Sequence, residues 1–490
     1  MESRTRNIFL SPFDRLVLVV ALLLAGAVGL TLVLGDRVGV TLQRAAPLGQ
    51  ARSTSRIIMQ FSETMNRDSV AERLYVAQVK PEAAANPDAL RPDDVLAQVG
   101  GQITWSGATL TFTPAAALMP GAAYLVQLEA GAAGETGRQV LSEYRFSFMV
   151  RSPRVAYLAP ASGAPLNIWL ADPADLSGAR QITFSPSGVF DFGVSPDGSA
   201  IAYSERNTNT GTSDIKLLNL ETGAVQQLTN CQDADCTTPV WRPDGRVIGY
   251  ERVELNSNLE NVGVSPTRIW LIDLSTTPAT TRPLFDDSQI LGYGLQWSRD
   301  GSRATVFDIN SQGILLHDFN TGVTAIIPSR YGSTGALSPD GTKIVFPEVT
   351  LAAGQARSYL QLADVTAQTV EPLSYPDDAV DDDAAVWSPD GQKLVIARRY
   401  TDDRFTPGRQ LFLMNPADGS AEPLVVDERY ANGFFSFDPT GQQIAIQRFP
   451  QLMPDGQLNN TGTPEIWTYN LSTGALAQVA VDAFYPRWVP

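Results

Sequence analysis

A short cassette recurs through the last two thirds of the chain, and it constrains the fold more than any other feature. The clearest copy is Trp387-Ser388-Pro389-Asp390-Gly391. Other copies begin at Val194, Trp241, Trp297, Leu337 and, in degenerate form, Phe437, at intervals of 40 to 56 residues. In most copies an apolar residue ends a strand, Pro fixes φ, and Asp-Gly supplies the turn into the next strand. Short strands repeated at this period indicate a β-propeller.

A second repeated strand predicts the number of blades. Seven apolar segments end in Asp or Asn, whose side chains can bond the following turn. They span residues 167–172, 214–219, 268–273, 313–318, 359–364, 410–415 and 465–470. The seventh cassette is the last segment, residues 484–490, and the strand it lacks is residues 154–158. We therefore expect seven four-stranded blades, closed by pairing of the C-terminal strand with the first strand, which removes open sheet edges.

The cassettes resemble the TolB-like repeats, also called WD-like β-propeller repeats, over roughly residues 153–490. The resemblance implies a propeller but not a specific task, because this fold serves scaffolds, receptors and enzymes. TolB has six blades and a preceding α/β domain, whereas this chain has an extra blade by our count. We therefore infer nothing about the partners of this chain from those of TolB.

The N-terminus predicts a membrane anchor. Arg4, Arg6 and Arg15 precede nineteen uncharged residues, 16–34. As a helix these residues would span roughly 28 Å, enough to cross the hydrocarbon core of a bilayer. The run has no cleavage site at its end, which favours an uncleaved signal anchor. We expect residues 1–15 to be cytoplasmic and the bulk of the chain extracytoplasmic, in a single-pass protein of the cell membrane.

Residues 38–150 predict a β-sandwich. Segments 57–61, 110–114, 124–128 and 144–148 are apolar or alternating and rich in β-formers. The stretch contains Phe61-Ser62-Glu63-Thr64-Met65-Asn66, Trp105, residues 110–114, residues 118–121, Tyr124 and residues 146–148. With these residues it resembles the bacterial Ig-like domain of the SbsA type. The resemblance implies a spacer without chemistry. The predicted architecture is therefore all-β, with a transmembrane helix, an Ig-like sandwich (38–150) and a seven-bladed propeller (151–490).

Charge and residue inventory exclude several classes of function. Residues 1–150 hold 13 basic and 13 acidic residues, so the net charge of −16 falls on the propeller region. Like charge repels nucleic acid, whereas basic peptides or cations fit better. One histidine and two cysteines cannot build a His-rich metal cluster or a Cys₄ zinc site. His317 occupies a repeat position that is otherwise small or apolar, which indicates a packed strand histidine.

The long loops predict a binding face, because loops on a rigid scaffold carry function. The rim of this face is acidic and includes Asp286, Asp287, Asp377, Asp378, Asp381, Asp382 and Asp383. Three interpretations stay open for this acidic rim: a solvated loop, a surface for a basic peptide, or a calcium site. The Asp381-Asp382-Asp383 run lacks the spaced ligands and central Gly of an EF-hand loop. We therefore assign no metal or other cofactor to it.

Cys231 and Cys236 close a short loop on the same face. Outside the cytoplasm such a pair is expected to be a disulfide. No Cys-x-x-Cys spacing accompanies the pair, which disfavours a redox role.

Two classes of function remain. The first is an anchored scaffold that binds a protein partner in the cell envelope, and the second is a propeller enzyme acting on envelope polysaccharide or peptide. The sequence lacks a Gly-x-Ser-x-Gly elbow and the Ser-x-Asp-x-Gly box of sialidases. We therefore expect a binding protein and no enzyme. A funnel with two facing carboxylates would favour the enzyme, and a flat acidic face would favour a protein partner.

Overall fold

The computed structural model describes residues 12–35, 39–89, 91–163, 165–255, 263–352, 354–453 and 455–490. The described chain is dominated by strands and folds into two compact units. The first is formed mainly by residues up to Val150, and the second mainly by Arg151–Pro490. The all-β fold class is thus confirmed.

Helix α1 covers Pro12–Gly35, and the side chains of residues 16–30 within it are exposed. Among the residues that the structure describes, none of the helices combines the length and apolarity needed to span a bilayer. Residues 1–11 of the predicted cytoplasmic tail lie outside the described residues. The membrane anchor stays a prediction.

Two sheets form the first unit. Its strands are β1 Leu42–Ala46, β2 Gly49–Ala51, β3 Ile57–Phe61, β4 Leu74–Val79, β5 Val95–Gln98, β6 Gly101–Ser106, β7 Thr109–Pro114, β8 Ala123–Leu128 and β9 Tyr144–Val150. Short helices α2 (Arg67–Ala71) and α3 (Pro81–Ala84) lie between them. One sheet has the order β1-β3-β7-β6 and the other β2-β9-β8-β4-β5. Alternating residues such as Ile57, Met59 and Phe61 are buried, as expected of strands with one face in a core.

The described residues of the second unit form 28 strands. They are β10 Arg154–Ala159, β11 Asn167–Asp172, β12 Asp175–Gln181, β13 Val189–Val194, β14 Ala200–Arg206, β15 Ser213–Asn219, β16 Val225–Gln227, β17 Ala234–Trp241, β18 Val247–Glu254, β19 Arg268–Asp273, β20 Thr280–Pro283, β21 Gly292–Trp297, β22 Arg303–Asp308, β23 Gly313–Asp318 and β24 Thr324–Pro328. They continue as β25 Ala336–Leu337, β26 Lys343–Ala352, β27 Gln355–Asp364, β28 Thr369–Pro372, β29 Val380–Trp387, β30 Leu394–Tyr400, β31 Gln410–Met414, β32 Ala421–Val425, β33 Tyr430–Phe437, β34 Gln443–Pro450, β35 Glu465–Asn470, β36 Leu476–Val481 and β37 Phe484–Val489.

These strands form seven four-stranded sheets. Sheet 1 has the order β12-β11-β10-β37, and sheets 2 to 7 take four consecutive strands each, from β13–β16 to β33–β36. Within sheet 1 the last strand pairs antiparallel with the first, with Val155 opposite Trp488 and Arg154 opposite Val489. The architecture is a β-propeller, as the repeats predicted.

Neighbouring sheets share apolar cores. Ile201 of sheet 2 packs with Leu158 of sheet 1, and the remaining interfaces follow the same plan. One cluster joins Val155 and Trp488 of sheet 1 with Ile466 of sheet 7. Apolar burial, at about 25 cal/mol per Å², is the main contribution holding such sheets together.

The cassette works as a hydrogen-bonded turn. Ser388 Oγ donates to Asp390 Oδ1 at 2.5 Å, and the backbone N–H of Lys393 donates to Ser388 Oγ at 3.0 Å. The Asp390 carboxylate also accepts from the N–H of Gln392 at 3.0 Å. Gly391 has a φ of 73°, a left-handed conformation that favours glycine. These bonds and the left-handed glycine explain why the sequence repeats the cassette at this turn.

Candidate functional site

One cavity of about 700 Å³ lies among the innermost strands of the propeller. Strand residues of six sheets line it, and sheet 5 is represented by Thr334, which lies just before β25. One lining residue from each, in order from sheet 1, is Tyr485, Asp191, Thr238, Gly294, Thr334, Trp387 and Ser436. We call this cavity the central channel, and ligand sites are common in the mouths of barrel-like folds.

A second cavity of about 630 Å³ adjoins the first, since Asp191 and Tyr485 line both. Most of its wall is aromatic. The aromatic residues are Phe190, Phe434, Phe449, Phe484 and Tyr485. Phe190 is 52% exposed and Phe434 is 55% exposed. We call this cavity the aromatic cleft, and it comprises Ala161, Phe190, Asp191, Phe434, Gln447, Phe449, Pro464, Phe484 and Tyr485.

Irregular backbone in the innermost strands places these side chains. The register shifts along β13, β17, β21, β29, β33 and β37 near the same level of each sheet. Thr238, Phe434 and Tyr485 have φ of 54°, 42° and 62°, which is uncommon for residues other than glycine. Bulges of this kind re-aim side chains and are frequent beside functional sites.

Polar side chains of one sheet cap the irregular backbone of the next. The Thr238 N–H donates to Asp191 Oδ2 at 2.8 Å, and the Gly294 N–H donates to Glu251 Oε1 at 2.9 Å. The Tyr485 N–H donates to Gln447 Oε1 at 2.9 Å. Because buried N–H groups are costly to leave unpaired, these bonds stabilise the bulges and fix the channel wall.

Asp191 is the acidic group common to both cavities. Its Oδ1 accepts a hydrogen bond from Ser204 Oγ, and Thr238 Oγ1 donates to Oδ2 at 3.3 Å. Burial raises the pKa of Asp191, although the bonds from Ser204 and Thr238 and the charge of Arg487 oppose the rise. The Arg487 guanidinium lies over the Tyr485 ring, 4.4 Å from its centroid.

Glu251 lies near Asp191 but lines neither cavity. Burial raises its pKa, and the charge of Asp191 adds to the rise, while the N–H of Gly294 opposes it. Two coupled carboxyl groups with raised pKa values are also found at acid–base sites. Here, however, both accept hydrogen bonds from the backbone of a neighbouring sheet.

Three residues of the predicted acidic rim are not free carboxylates in a loop. Asp381, Asp382 and Asp383 lie in strand β29 and pair with arginines. Arg398 Nε and Nη2 each donate to Asp382 at 2.8 Å, with both side chains buried. The expectation of a loop was wrong because Asp381 and Asp382 pair in regular register with Arg399 and Arg398 of β30, and the bulge comes only after Asp382.

Arg409 connects the other two members of this group. It contacts Asp381 at 2.9 Å and Asp383 at 3.0 Å, and Arg399 also donates to Asp381, at 2.7 Å. Burial raises the pKa of Asp383, while the charge of Arg409 opposes the rise. The negative charge of this segment is therefore largely compensated.

The remaining rim residues are separated from the two cavities. Asp377 and Asp378 are exposed in a single 3₁₀ turn, Pro376–Asp378. Asp286 and Asp287 are exposed, and Asp287 accepts a hydrogen bond from the Gln289 N–H at 2.8 Å. None of the seven rim aspartates lines either cavity. Within the described ranges no group of three or more His, Cys, Asp or Glu side chains is placed to hold a metal ion.

The two cysteines and the histidine have structural surroundings. Cys231 and Cys236 form a disulfide, and the Cys231 N–H donates to buried Asp214 at 2.7 Å. His317 Nδ1 lies 2.8 Å from Thr324 Oγ1, and its ring packs edge-on against Phe285 and Phe319. Burial lowers the pKa of His317.

Sequence reasoning missed the residues of the channel. One signal was present: the position three residues before the large apolar residue of each cassette. This repeat position holds Asp191, Thr238, Gly294, Thr334, Ala384, Phe434 and Tyr485. Five of the seven line the central channel, and Phe434 lines the aromatic cleft.

The comparisons with known proteins bear first on the N-terminal unit. Residues 36–150 match the family model described as Bacterial Ig-like domain. The N-terminal region is a bacterial Ig-like domain. The resemblance read from Phe61, Trp105 and Tyr124 is thus confirmed. The Ig-like domain occupies the stretch for which the sequence predicted a sandwich.

The chain is also similar to a curated protein. Dipeptidyl-peptidase 5 of Porphyromonas gingivalis is 33% identical over 125 residues, which are 23% of this chain and 17% of that protein. The chain therefore spans less than a fifth of the length of this curated relative.

Several solved structures are similar in fold. TolB from Acinetobacter baumannii aligns with 80% of this chain and 82% of its own, at 16% identity and a TM-score of 0.40. Oligogalacturonate lyase from Vibrio parahaemolyticus aligns with 67% of this chain and 86% of its own, at 14% identity and a TM-score of 0.45. The propeller domain of the Trilobed protease from Pyrococcus furiosus covers 67% and 96%, at 15% identity and a TM-score of 0.43.

Proposed function

We propose that this protein is a membrane-anchored, extracytoplasmic binding protein that presents a closed, seven-bladed propeller on an Ig-like spacer to a protein partner in the cell envelope. The observation that carries the proposal is the aromatic cleft, which adjoins the central channel and contains half-exposed Phe190 and Phe434. Contiguous exposed apolar patches mark interaction sites on soluble proteins, and aromatic side chains contribute strongly to the energetics of protein interfaces.

The seven sheets and their contacts support a closed ring. The pairing of β37 with β10 joins the end of the propeller to its start, and Ile466 of sheet 7 packs with Trp488 of sheet 1. A closed ring gives the cleft rigid walls, so binding costs little ordering entropy.

The anchor is proposed from residues 16–34 alone, which carry no charged side chain. Its test is cell fractionation of the full-length protein. We expect the protein to remain with the membranes after an alkaline wash, and a variant with Leu22→Lys and Leu24→Lys to be released. Each lysine at the centre of a spanning helix costs about 3 kcal/mol. Release of the unaltered protein would contradict the anchor.

Binding is tested by recovering the partner. Full-length protein would be crosslinked in its native cells, purified and compared with a variant carrying Phe190→Ala and Phe449→Ala. The matched control carries Val225→Ala and Val323→Ala, which remove exposed apolar side chains (54% and 62% exposed) outside the cleft. We expect the same partner with the unaltered and control proteins, and its loss from the cleft variant. Equal recovery from all three would contradict the proposal.

An enzyme remains a second candidate because Asp191 lines both cavities and burial raises the pKa of Asp191 and of nearby Glu251. A glycoside hydrolase would use one such group as acid and the other as base or nucleophile. The assay is release of sugar from envelope polysaccharide by full-length protein, its Asp191→Asn variant and its Glu251→Gln variant. Release that both substitutions abolish would establish the enzyme, and no release by any of them would leave the binding protein.

A further inference from the structure

The Asp191 carboxylate is hydrogen-bonded but has no counter-ion in contact. Its partners are the hydroxyls of Ser204 and Thr238 and the N–H of Thr238. It forms no ion pair within 4.0 Å with any residue that the structure describes. The nearby cation, Arg487, stacks instead on Tyr485. A carboxylate removed from bulk water gains most from a cation that approaches it directly.

Gln447 contributes a second polar group. Only 3% of its surface is exposed, and it lines the cleft together with Asp191. Its Oε1 caps Tyr485, whereas its Nε2 makes no hydrogen bond within the described part of the chain. Because Gln447 lines the cleft and its N–H₂ makes no bond to the described chain, this group is available to donate to a carbonyl oxygen supplied by a ligand.

The walls between these polar groups are apolar. Phe190, Phe434 and Phe449 are exposed to solvent, and Phe434 packs on Tyr485 with ring centroids 5.4 Å apart. Aromatic faces attract cations, and they also pack on the methylene stem that carries an ammonium or guanidinium group. A volume of about 630 Å³ holds more than one amino-acid residue.

We propose that the aromatic cleft binds a lysine or arginine side chain of an extended peptide, with its cationic group at Asp191, its stem between the phenylalanines and a peptide carbonyl at Gln447 Nε2. This inference rests on the proposed function and specifies the chemistry of the partner. Charge complementarity supports it, because the net charge of −16 falls on the residues that form the propeller. An uncharged sugar would gain nothing from that charge.

The test uses fluorescence anisotropy to measure the binding of peptides to the full-length protein in detergent. The probes are an end-blocked, labelled peptide Ala-Leu-Lys-Leu-Ala and the same peptide with acetyl-lysine, which keeps the stem but removes the charge. We expect the lysine peptide to bind at least about tenfold more tightly, because removing one partner of a desolvated charge pair is costly. Equal affinity for both peptides, or no binding at millimolar concentration, would overturn the inference.

Substitutions in the cleft test which residues cause the preference for lysine. Asp191→Asn should abolish the preference for lysine, whereas Asp175→Asn, at an exposed position of β12, should retain it. Phe449→Ala should weaken the binding of both peptides to the same extent. This variant still tests the inference if Asp191→Asn unfolds the protein. A lysine preference that survives Asp191→Asn, or binding unaffected by Phe449→Ala, would overturn the inference. If that happens while a partner is still recovered through the cleft, the proposed function stands and only the cationic ligand is wrong.

Discussion

Arg398 and Asp382 form a two-pronged ion pair in the core of sheet 6, with two hydrogen bonds of 2.8 Å. Asp382 is fully buried, and the Arg398 guanidinium also lies 5.6 Å from the centroid of the Phe412 ring. Removal of one partner leaves an uncompensated buried charge. We therefore expect Asp382→Ala to lower the free energy of unfolding by about 3–5 kcal/mol, measured by urea denaturation.

The control for this ion pair is Asp402, which pairs with Arg404 at the surface. Asp402→Ala should leave the unfolding midpoint nearly unchanged, because solvent screens exposed pairs. Similar destabilisation by the two substitutions would contradict the assignment of Asp382 to the core rather than to a binding surface.

The second prediction concerns Trp488, whose indole N–H donates to the Ser436 carbonyl of sheet 7 at 3.0 Å. Trp241 and Trp387 make the same bond, also at 3.0 Å, to Gly193 and Ala336 of their neighbouring sheets. We expect Trp488→Ala to destabilise the propeller by about 3–5 kcal/mol, as for other large core truncations. Trp488→Phe keeps an aromatic ring and loses mainly the hydrogen bond to Ser436. We expect it to lower the free energy of unfolding by about 1 kcal/mol.

Calorimetry separates these two outcomes. Both variants should retain a single cooperative transition of the propeller, lowered more by alanine than by phenylalanine. Unchanged melting of Trp488→Ala would mean that the last strand contributes little to the domain, against the proposed closure of the ring.

The third prediction uses the raised pKa of Asp191. The folded state holds this proton more tightly than the unfolded chain, whose aspartates titrate at about 4. Above that pH the charge opposes folding, so the contribution of Asp191 to stability falls as pH rises. Relative to the unaltered protein, Asp191→Asn should become more stable as pH rises above about 4, levelling off once the pH exceeds the raised pKa of Asp191, as measured by urea unfolding at several pH values.

Asp390 provides a control of opposite sign. The hydrogen bond from Ser388 lowers the pKa of Asp390, so its charged form stabilises the turn above the unfolded pKa. Asp390→Asn should therefore lose stability relative to the unaltered protein as pH rises. The same pH dependence for both variants would contradict the environments assigned to them.

The fourth prediction concerns the disulfide between Cys231 and Cys236, which are five positions apart in the sequence. Closing so small a ring restricts the unfolded chain and contributes about 2 kcal/mol. A double variant with Cys231→Ser and Cys236→Ser should lose that amount, and reducing agent should have no further effect on it. Destabilisation of the variant by reducing agent would contradict this account.

Much of the propeller could be predicted because its turns need particular residues. The clearest cassettes use Ser and Asp side chains to bond their own backbone and a Gly at positive φ, as in Ser388, Asp390 and Gly391. Such requirements are local, so they are visible along the sequence. The seven repeated strands were visible for the same reason, since each ends in a side chain that bonds the following turn.

The site was predicted less well because it depends on contacts between sheets. Asp381 and Asp382 read as free charges along the chain, yet their arginine partners lie 16 to 28 residues away in sequence. Conversely, Asp191 is an isolated acidic residue between two phenylalanines, and its partner Thr238 is 47 residues away. Only the alignment of repeats places Asp191 beside Tyr485.

The most direct test of the central claim is photo-crosslinking in living cells. A photoreactive phenylalanine analogue would replace Phe434 in the cleft or Val225 on the outer strand β16, two positions of nearly equal exposure at 55% and 54%. If the cleft binds a protein partner, we expect a discrete protein adduct from position 434 and none from position 225. Adducts of equal yield at both positions, or an adduct only at 225, would contradict that claim.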